Sequence, residues 1–175
     1  MSLGELRIER LCSDHDVSGF ACGVDELDHW LRRHALVAQQ MDSARSFVVA
    51  RGKRVVGYVS LTMGSVQRTD PPRRLVRGMP AYPVGMVLIA RLAIDQSEQG
   101  VGLGTRLLAD ALRMALLAGE SVAARLVVVD AIDERAAQFY MRHGFTDALD
   151  HPLRLYRRMK DVRASLEPAG TSAQS

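Results

Sequence analysis

The chain has 175 residues, 47% hydrophobic and 25% charged, with a formal net charge of +3; that is the balance of one globular domain able to bury a core without disulfide or metal support. Two cysteines, Cys12 and Cys22, exclude a disulfide framework and a zinc pattern and suit a reducing cytoplasm; no basic start leads into an early apolar run, and no apolar stretch approaches the roughly 20 residues of a membrane span. Charge is uneven: residues 1–31 hold two Arg against seven acids, net −5, residues 32–91 hold eleven basic residues against Asp42 and Asp70, net +9, and residues 92–175 are net −1.

In chain order, residues 25–41 are expected to form a helix, with Leu27, Trp30, Leu31, Leu36 and Met41 mostly at helical spacing. Asp25, Glu26 and Asp28 fall in its first turn, where the helix dipole favours negative charge, and Arg32 and Arg33 on its more polar side. Strands are expected over 46–50 and 55–62, joined as a hairpin by Arg51-Gly52-Lys53. Residues 68–85 hold four of the six prolines and four Arg, and are expected to form an irregular basic loop. A buried strand over 86–94, apolar except for Arg91, leads into a Gly-rich turn over 95–104 and an amphipathic helix over 105–117 that Gly119 should end. A buried strand over 125–129, a short helix over 134–143 closed by Gly144, and an alternating strand over 153–159 complete the order. Strands and helices in this order imply an α/β or α+β fold, a mixed sheet with helices on its faces, as a single domain over 1–165 followed by a disordered polar tail over 166–175.

The segment from Met86 to Phe145 carries the chemistry. After the strand, Gln99, Gly102 and Gly104 set a Q-x-x-G-x-G pattern at the start of a helix. Glycine lets the backbone approach a bulky anion, and the first amides of the helix point outward at it, which makes a pyrophosphate cradle. A P-loop is excluded because Thr105 and Arg106 follow Gly104, and the Rossmann spacing is not met because Gly100, Gly102 and Gly104 alternate.

The run V-L-I-A-R-L-A-I followed by Gln99-x-x-Gly102-x-Gly104 resembles the acetyl-coenzyme A motif of the GNAT superfamily of N-acetyltransferases. Some 30 residues on, Ala136-Ala137-Gln138-Phe139-Tyr140-Met141-Arg142-His143-Gly144-Phe145 resembles its A-x-x-F-Y-x-x-x-G-F signature, and the likeness covers about residues 45–160. It implies the GNAT fold, a mixed sheet whose central strands splay, and acetyl-coenzyme A as donor. It further implies that Leu92, Ala93 and Ile94 hold the pantetheine arm and that Gln99, Gly100, Val101, Gly102, Leu103, Gly104 and Thr105 hold the pyrophosphate, with Phe139 beside the cofactor. Asp133 stands where many relatives have Asn for a side-chain contact to the cofactor. A narrower likeness, Phe20-x-Cys22-Gly23-x-x-x-Leu27-Asp28-x-Trp30-Leu31, is to the GNAT toxins of bacterial toxin–antitoxin pairs. These toxins acetylate the α-amine of aminoacyl-tRNA and block translation. The resemblance implies aminoacyl-tRNA as acceptor, a ribbon–helix–helix antitoxin and a homodimer as partners, and no membrane association. Acetylation of a small amine or a protein N-terminus, and a non-catalytic acyl-coenzyme A module on the same fold, are the alternatives.

Acetyl transfer to an amine needs a neutral nucleophile, a hydrogen bond to the developing oxyanion, and a proton for the departing thiolate. Tyr140 is the expected general acid, its phenol protonated near neutrality; the competing reading is a core tyrosine beside Phe139. The expected oxyanion donor is a backbone N–H at Leu92 or Ala93, by resemblance. Arg32, Arg33, Arg73, Arg74 and Arg77 are the expected contacts to the RNA backbone, because the guanidinium fork suits phosphate. Arg91 either pairs with a buried acid or faces the substrate channel, in which case it joins the expected tRNA contacts, and Asp95 is either a turn residue or a base. No histidine stands beside a nucleophile or at metal spacing, and neither cysteine has an evident histidine partner.

Overall fold

The computed structural model describes residues 6–81 and 83–167. Among these, seven strands run in the order β1-β2-β3-β4-β5-β7-β6, with six α-helices between and after them. The strands are β1 Ile8–Arg10, β2 Arg45–Arg51, β3 Arg54–Val66, β4 Val84–Ile94, β5 Leu126–Asp130, β6 Thr146–Ala148 and β7 His151–Arg158. The helices are α1 Asp25–Arg33, α2 Ala35–Gln40, α3 Arg73–Val76, α4 Leu103–Val122, α5 Glu134–Arg142 and α6 Met159–Leu166. This is the α/β architecture that the order of elements implies.

The described residues divide into two compact units, the first drawn from 6–63 and 88–111 and the second from 64–81, 83–87 and 112–167. In the first, β1, β2 and β3 form an antiparallel meander, with the β2–β3 hairpin closing at Arg51↔Arg54. Its core gathers Leu11, Phe20, Leu31, Ala35, Val48, Val55, Tyr58 and Ala93, with Leu27 and Trp30 packed against it. A polar pair sits inside this apolar setting: the hydroxyls of Ser46 and Ser60, both fully buried, bond each other at 2.7 Å across β2 and β3. In the second unit β7 lies between β5 and β6, antiparallel to both. Val127, Val128, Val129 and Leu155 are fully buried there, which is why β5 is written as an unbroken apolar run.

The elements depart from expectation in ways that packing explains. The helix expected over 25–41 breaks at His34, whose φ of −123° lies outside the helical range, so Leu31 and Ala35 are buried while Met41 is 74% exposed. Met41 is therefore not a core residue. The basic loop is not wholly irregular: Leu75 and Val76 are buried in the short helix α3, which carries Arg73 and Arg74. Helix α4 does not stop at Gly119. It runs on to Val122, with Gly119 buried against Met159. β1, β6 and α6 are too short or too weakly patterned to be expected from sequence, and Met159 opens α6 instead of closing β7. Helix α6 takes in Leu166, and of the tail expected over 166–175 the part from 168 onward lies outside the described residues.

The C-terminus of α4 shows a local conflict. Ala124 N–H donates to Gly119 O at 3.2 Å, the six-to-one bond of a Schellman cap, and Ala123 takes the left-handed position with φ 58°. A residue with a Cβ pays about 1–2 kcal/mol there, which glycine avoids. Ala123→Gly is expected to raise stability by about 0.5–1 kcal/mol after the added freedom of the unfolded chain is deducted. Urea denaturation of the two proteins side by side measures the difference; an unchanged or lower midpoint contradicts it.

Candidate active site

The first unit presents the end of β4 and the turn that follows it. Asp95 follows the last residue of the strand and is 5% exposed. Its Oδ1 accepts from Ser97 N–H at 3.0 Å and Ser97 Oγ at 2.6 Å, and its Oδ2 accepts from Ala21 N–H at 3.0 Å. Burial pushes the Asp95 carboxyl up, but these hydrogen bonds outweigh it and hold it below the usual carboxylate value. The group is thus an anchor for the turn and a poor base. Gln96 N–H returns a bond to Ala21 O at 2.8 Å, and the Gln99 side-chain amide donates to both Ile94 O and Cys22 O at 2.8 Å. Arg51 and Glu98 form a two-pronged ion pair on the same turn, which holds the Glu98 carboxyl low.

Gln99 therefore spends its side chain on the fold. What it and its neighbours offer an anion is main chain. Gly100 and Gly102 adopt φ of 81° and 86°, and a Cβ built on either meets nothing within 4 Å, so open space lies over this stretch of backbone. The first bond of α4 runs from Arg106 N–H to Gly102 O at 3.2 Å. The N–H groups of Leu103, Gly104 and Thr105 are then the orphan donors of the helix start, and they open beside that space. A diphosphate fits this arrangement. Leu92 and Ile94 are partly buried on β4 and Ala93 is 5% exposed.

The second unit carries Tyr140, Phe139 and Asp133 on α5. Asp133 is the N-cap: its Oδ1 accepts from Ala136 N–H at 2.8 Å. That carboxylate has a structural use whatever else it touches. At the other end His143 is the C-cap and Gly144, with φ 89°, reverses the chain. Phe145 N–H then donates to Tyr140 O at 3.2 Å, and the Phe145 ring packs edge-on against Tyr140 with centroids 5.8 Å apart. Phe139 flanks Tyr140 at 5.2 Å, and His143 Nδ1–H donates to Phe139 O at 2.8 Å. The F-Y-x-x-x-G-F pattern is thus a Schellman cap that clamps Tyr140 between two aromatic rings. Tyr140 is 6% exposed, and its hydroxyl makes no hydrogen bond among the described residues. Burial pushes the phenol well above its ordinary value, so it keeps its proton throughout the neutral range.

The arginines do not act alike. Arg73, Arg74 and Arg77 are exposed, and Arg74 also reaches Thr146 Oγ1 at 2.8 Å. Arg33 is exposed on α1, whereas Arg32 is tethered to Phe20 O at 2.6 Å. Arg91 does not pair with a carboxylate among the described residues: its Cζ sits 4.1 Å from the centroid of the Trp30 ring.

Sequence reasoning also missed a histidine beside a thiol. His15 Nδ1 lies 3.5 Å from Cys12 Sγ, and its Nε2 lies 2.9 Å from Glu9 Oε1. The C-x-x-H spacing was the available signal. Nδ1 already accepts from Cys12 N–H at 3.0 Å, so the ring braces the turn and its lone pair is engaged. Burial, and then Asp28, push the Cys22 thiol up to about 11, which leaves it inert at neutral pH.

Residues 9–145 match the acetyltransferase (GNAT) family. The chain belongs to that family. It is 41% identical over 155 residues to a protein of Mycobacterium tuberculosis described as a tRNA-acetylating toxin, covering 89% of this chain and 93% of that one. The structure of AtaT complexed with acetyl-methionyl-tRNAfMet superposes with a TM-score of 0.85 at 27% identity, covering 93% of this chain and all of the other. A tyrosine-to-phenylalanine variant of AtaT, bound to the C-terminus of the antitoxin AtaR and to acetyl-CoA, gives 0.81 at 26% identity, covering 93% and 99%.

The open backbone at Gly102 gives a direct test. Gly102→Glu would place a carboxylate where the pyrophosphate's charge is expected and strain a left-handed position by about 1–2 kcal/mol. Calorimetry is expected to find acetyl-CoA binding lost while a cooperative thermal transition remains; binding at wild-type affinity refutes the cradle.

Proposed function

We propose that this chain is an acetyl-CoA-dependent N-acetyltransferase of aminoacyl-tRNA, acting in the cytoplasm as the toxin of a toxin–antitoxin pair. The observation that carries the reading is the 41% identity, over nearly the whole chain, to a relative described as a tRNA-acetylating toxin. Bound acetyl-CoA and antitoxin in the AtaT structure support the donor and the kind of partner. We further assign a ribbon–helix–helix character to the antitoxin and a homodimeric state to the enzyme, in which two strongly basic segments would widen the surface offered to RNA. A single domain over 1–165 completes the proposal.

The chemistry suits the residues. An α-amine has a reference pKa of about 7.7–8.0, so a useful fraction is neutral at physiological pH and a strong base is not needed. That fits Asp95, whose oxygens are committed to the turn. A main-chain N–H at Leu92 or Ala93 supplies the hydrogen bond to the developing oxyanion. Tyr140, buried and still protonated, gives its phenolic proton to the departing thiolate; the proton shed by the attacking amine passes to solvent, from which Tyr140 recovers one. Bound acetyl-CoA supplies the activated acyl group. Gln99 to Thr105 orient its phosphates through their main chain, with Phe139 and Asp133 at the second contact.

Tyr140→Phe keeps the ring clamp and removes only the proton donor. It is expected to lower kcat by about 10²–10⁴-fold with acetyl-CoA affinity retained. Because burial raises the phenol, wild-type kcat should show no alkaline limb from Tyr140 below its ordinary value of about 10. Unchanged turnover in the variant removes Tyr140 from the role, and a wild-type limb near pH 8–9 that the variant lacks contradicts the raised phenol.

The exposed arginines of α3 make a second test. Each phosphate neutralised contributes about 0.7–0.9 to the slope of log affinity against log salt. Arg73→Glu with Arg74→Glu is expected to weaken binding of charged tRNA and to flatten that slope by one to two such increments, leaving acetyl-CoA affinity as it was. An unaltered salt series moves the RNA path elsewhere.

A further inference from the structure

We propose that Arg91, seated on the ring of Trp30, is a preformed site for one phosphodiester group of the RNA acceptor close to the aminoacylated end. The inference rests on the aminoacyl-tRNA reading for its substrate and on geometry for the rest. Phe20 and Tyr58, 1% and 0% exposed, meet edge-on with centroids 5.5 Å apart. Tyr58 stacks on Trp30 at 6.1 Å and 12°, and its hydroxyl donates to Leu27 O at 2.7 Å, which fixes the column to α1. Arg91 Cζ lies over the Trp30 ring, 4.1 Å from its centroid. The aromatic cluster thus holds a guanidinium by cation–π attraction.

What that guanidinium lacks is a partner. Among the described residues no carboxylate lies within ion-pair distance of it, and it donates no hydrogen bond, although it is partly buried in an apolar strand. Elsewhere in the same unit Arg51 is matched by Glu98, and Arg106 by Leu6 O. A partly buried cation seated on a ring, with its N–H fork unspent among the described residues, is suited to a bidentate oxyanion, and phosphate matches the fork. The surrounding segment, net +9 over residues 32–91, favours a polyanion over an isolated carboxylate. Arg91 shares a face of β4 with Ala93, two residues along at about 3.3 Å each. A phosphate bound there would lie near the strand that resembles the acetyl-arm site, as a phosphodiester near the 3′ end of a charged tRNA must.

Trp30 is the one tryptophan of the chain, so its fluorescence reports on this seat alone. The wild type and the Arg91→Met and Arg91→Lys variants are titrated with uncharged tRNA, and their acetyl transfer to charged tRNA and to an aminoacylated nucleoside without phosphate is compared. The wild-type signal should respond to tRNA and lose most of that response in Arg91→Met, with Arg91→Lys between. KM for charged tRNA should rise several-fold with kcat retained, the salt slope should fall by about 0.7–0.9, and the nucleoside and acetyl-CoA should be handled as by wild type. A response to tRNA that survives in Arg91→Met, or no response in the wild type, overturns the proposal. So does an equal loss with the nucleoside, which would mark Arg91 as structural, or a loss of acetyl-CoA affinity, which would assign it to the donor. Failure of the wild type to acetylate charged tRNA sinks the acceptor reading instead, and the fluorescence titration still decides the phosphate seat.

Discussion

The first unit depends on one clasp. The two N–H bonds of the Gln99 amide reach Ile94 O, at the end of β4, and Cys22 O, in the N-terminal segment. Asp95 and Gln96 add the bonds to Ala21 from the same turn. The backbone that would face the donor's phosphates is therefore shaped by residues more than 70 positions apart, and the segment leading into α1 becomes part of the same body. Because no buried side-chain N or O of the clasp lacks a partner, the turn can present its own amides outward without unpaired groups behind them. A second link, Asp28 Oδ1 accepting from Cys22 N–H at 2.8 Å, ties the first turn of α1 to the clasp. The Trp30 column stands on that helix.

The second unit solves a separate problem, that of holding a neutral phenol with its hydroxyl unspent. Gly144 reverses the chain so that Phe145 returns onto Tyr140, and Phe139 closes the other side. The rings exclude water, and desolvation keeps the proton on the oxygen. A proton donor for a departing thiolate needs both properties. Gly144 carries a further constraint, since a Cβ there would meet Arg157 Nε at 3.0 Å.

Much of this was legible in the sequence, for physical reasons. The 3.6-residue pattern of α4, the apolar run of β5 and the glycine closing α5 are local signals, and each element lies close to where its pattern puts it. Gln99 was legible as a motif residue but not in its role, because its carbonyl partners include one 77 positions away. The capping use of Asp133 was available from its place one residue before α5. Asp95 with Ser97 could have been read as a local cap, whereas the bond to Ala21 could not. Met41 was misplaced because periodicity continues through a break that only the φ of His34 reveals. Arg91 was open between an acid and a channel, and its seat over Trp30 is a contact that charge arithmetic does not show.

Charge links the two halves of the account to a substrate. Arginine outnumbers lysine 21 to two, and the positive charge concentrates between residues 32 and 91. The proposed nucleic-acid acceptor would account for the concentration. The measurement that bears on this most directly is incubation of the protein with labelled acetyl-CoA and total tRNA, charged or deacylated. The account requires label on the charged pool alone, released as N-acetylated amino acid when the ester is hydrolysed. Equal labelling of deacylated tRNA, or label that passes only to free amines or protein, would contradict it.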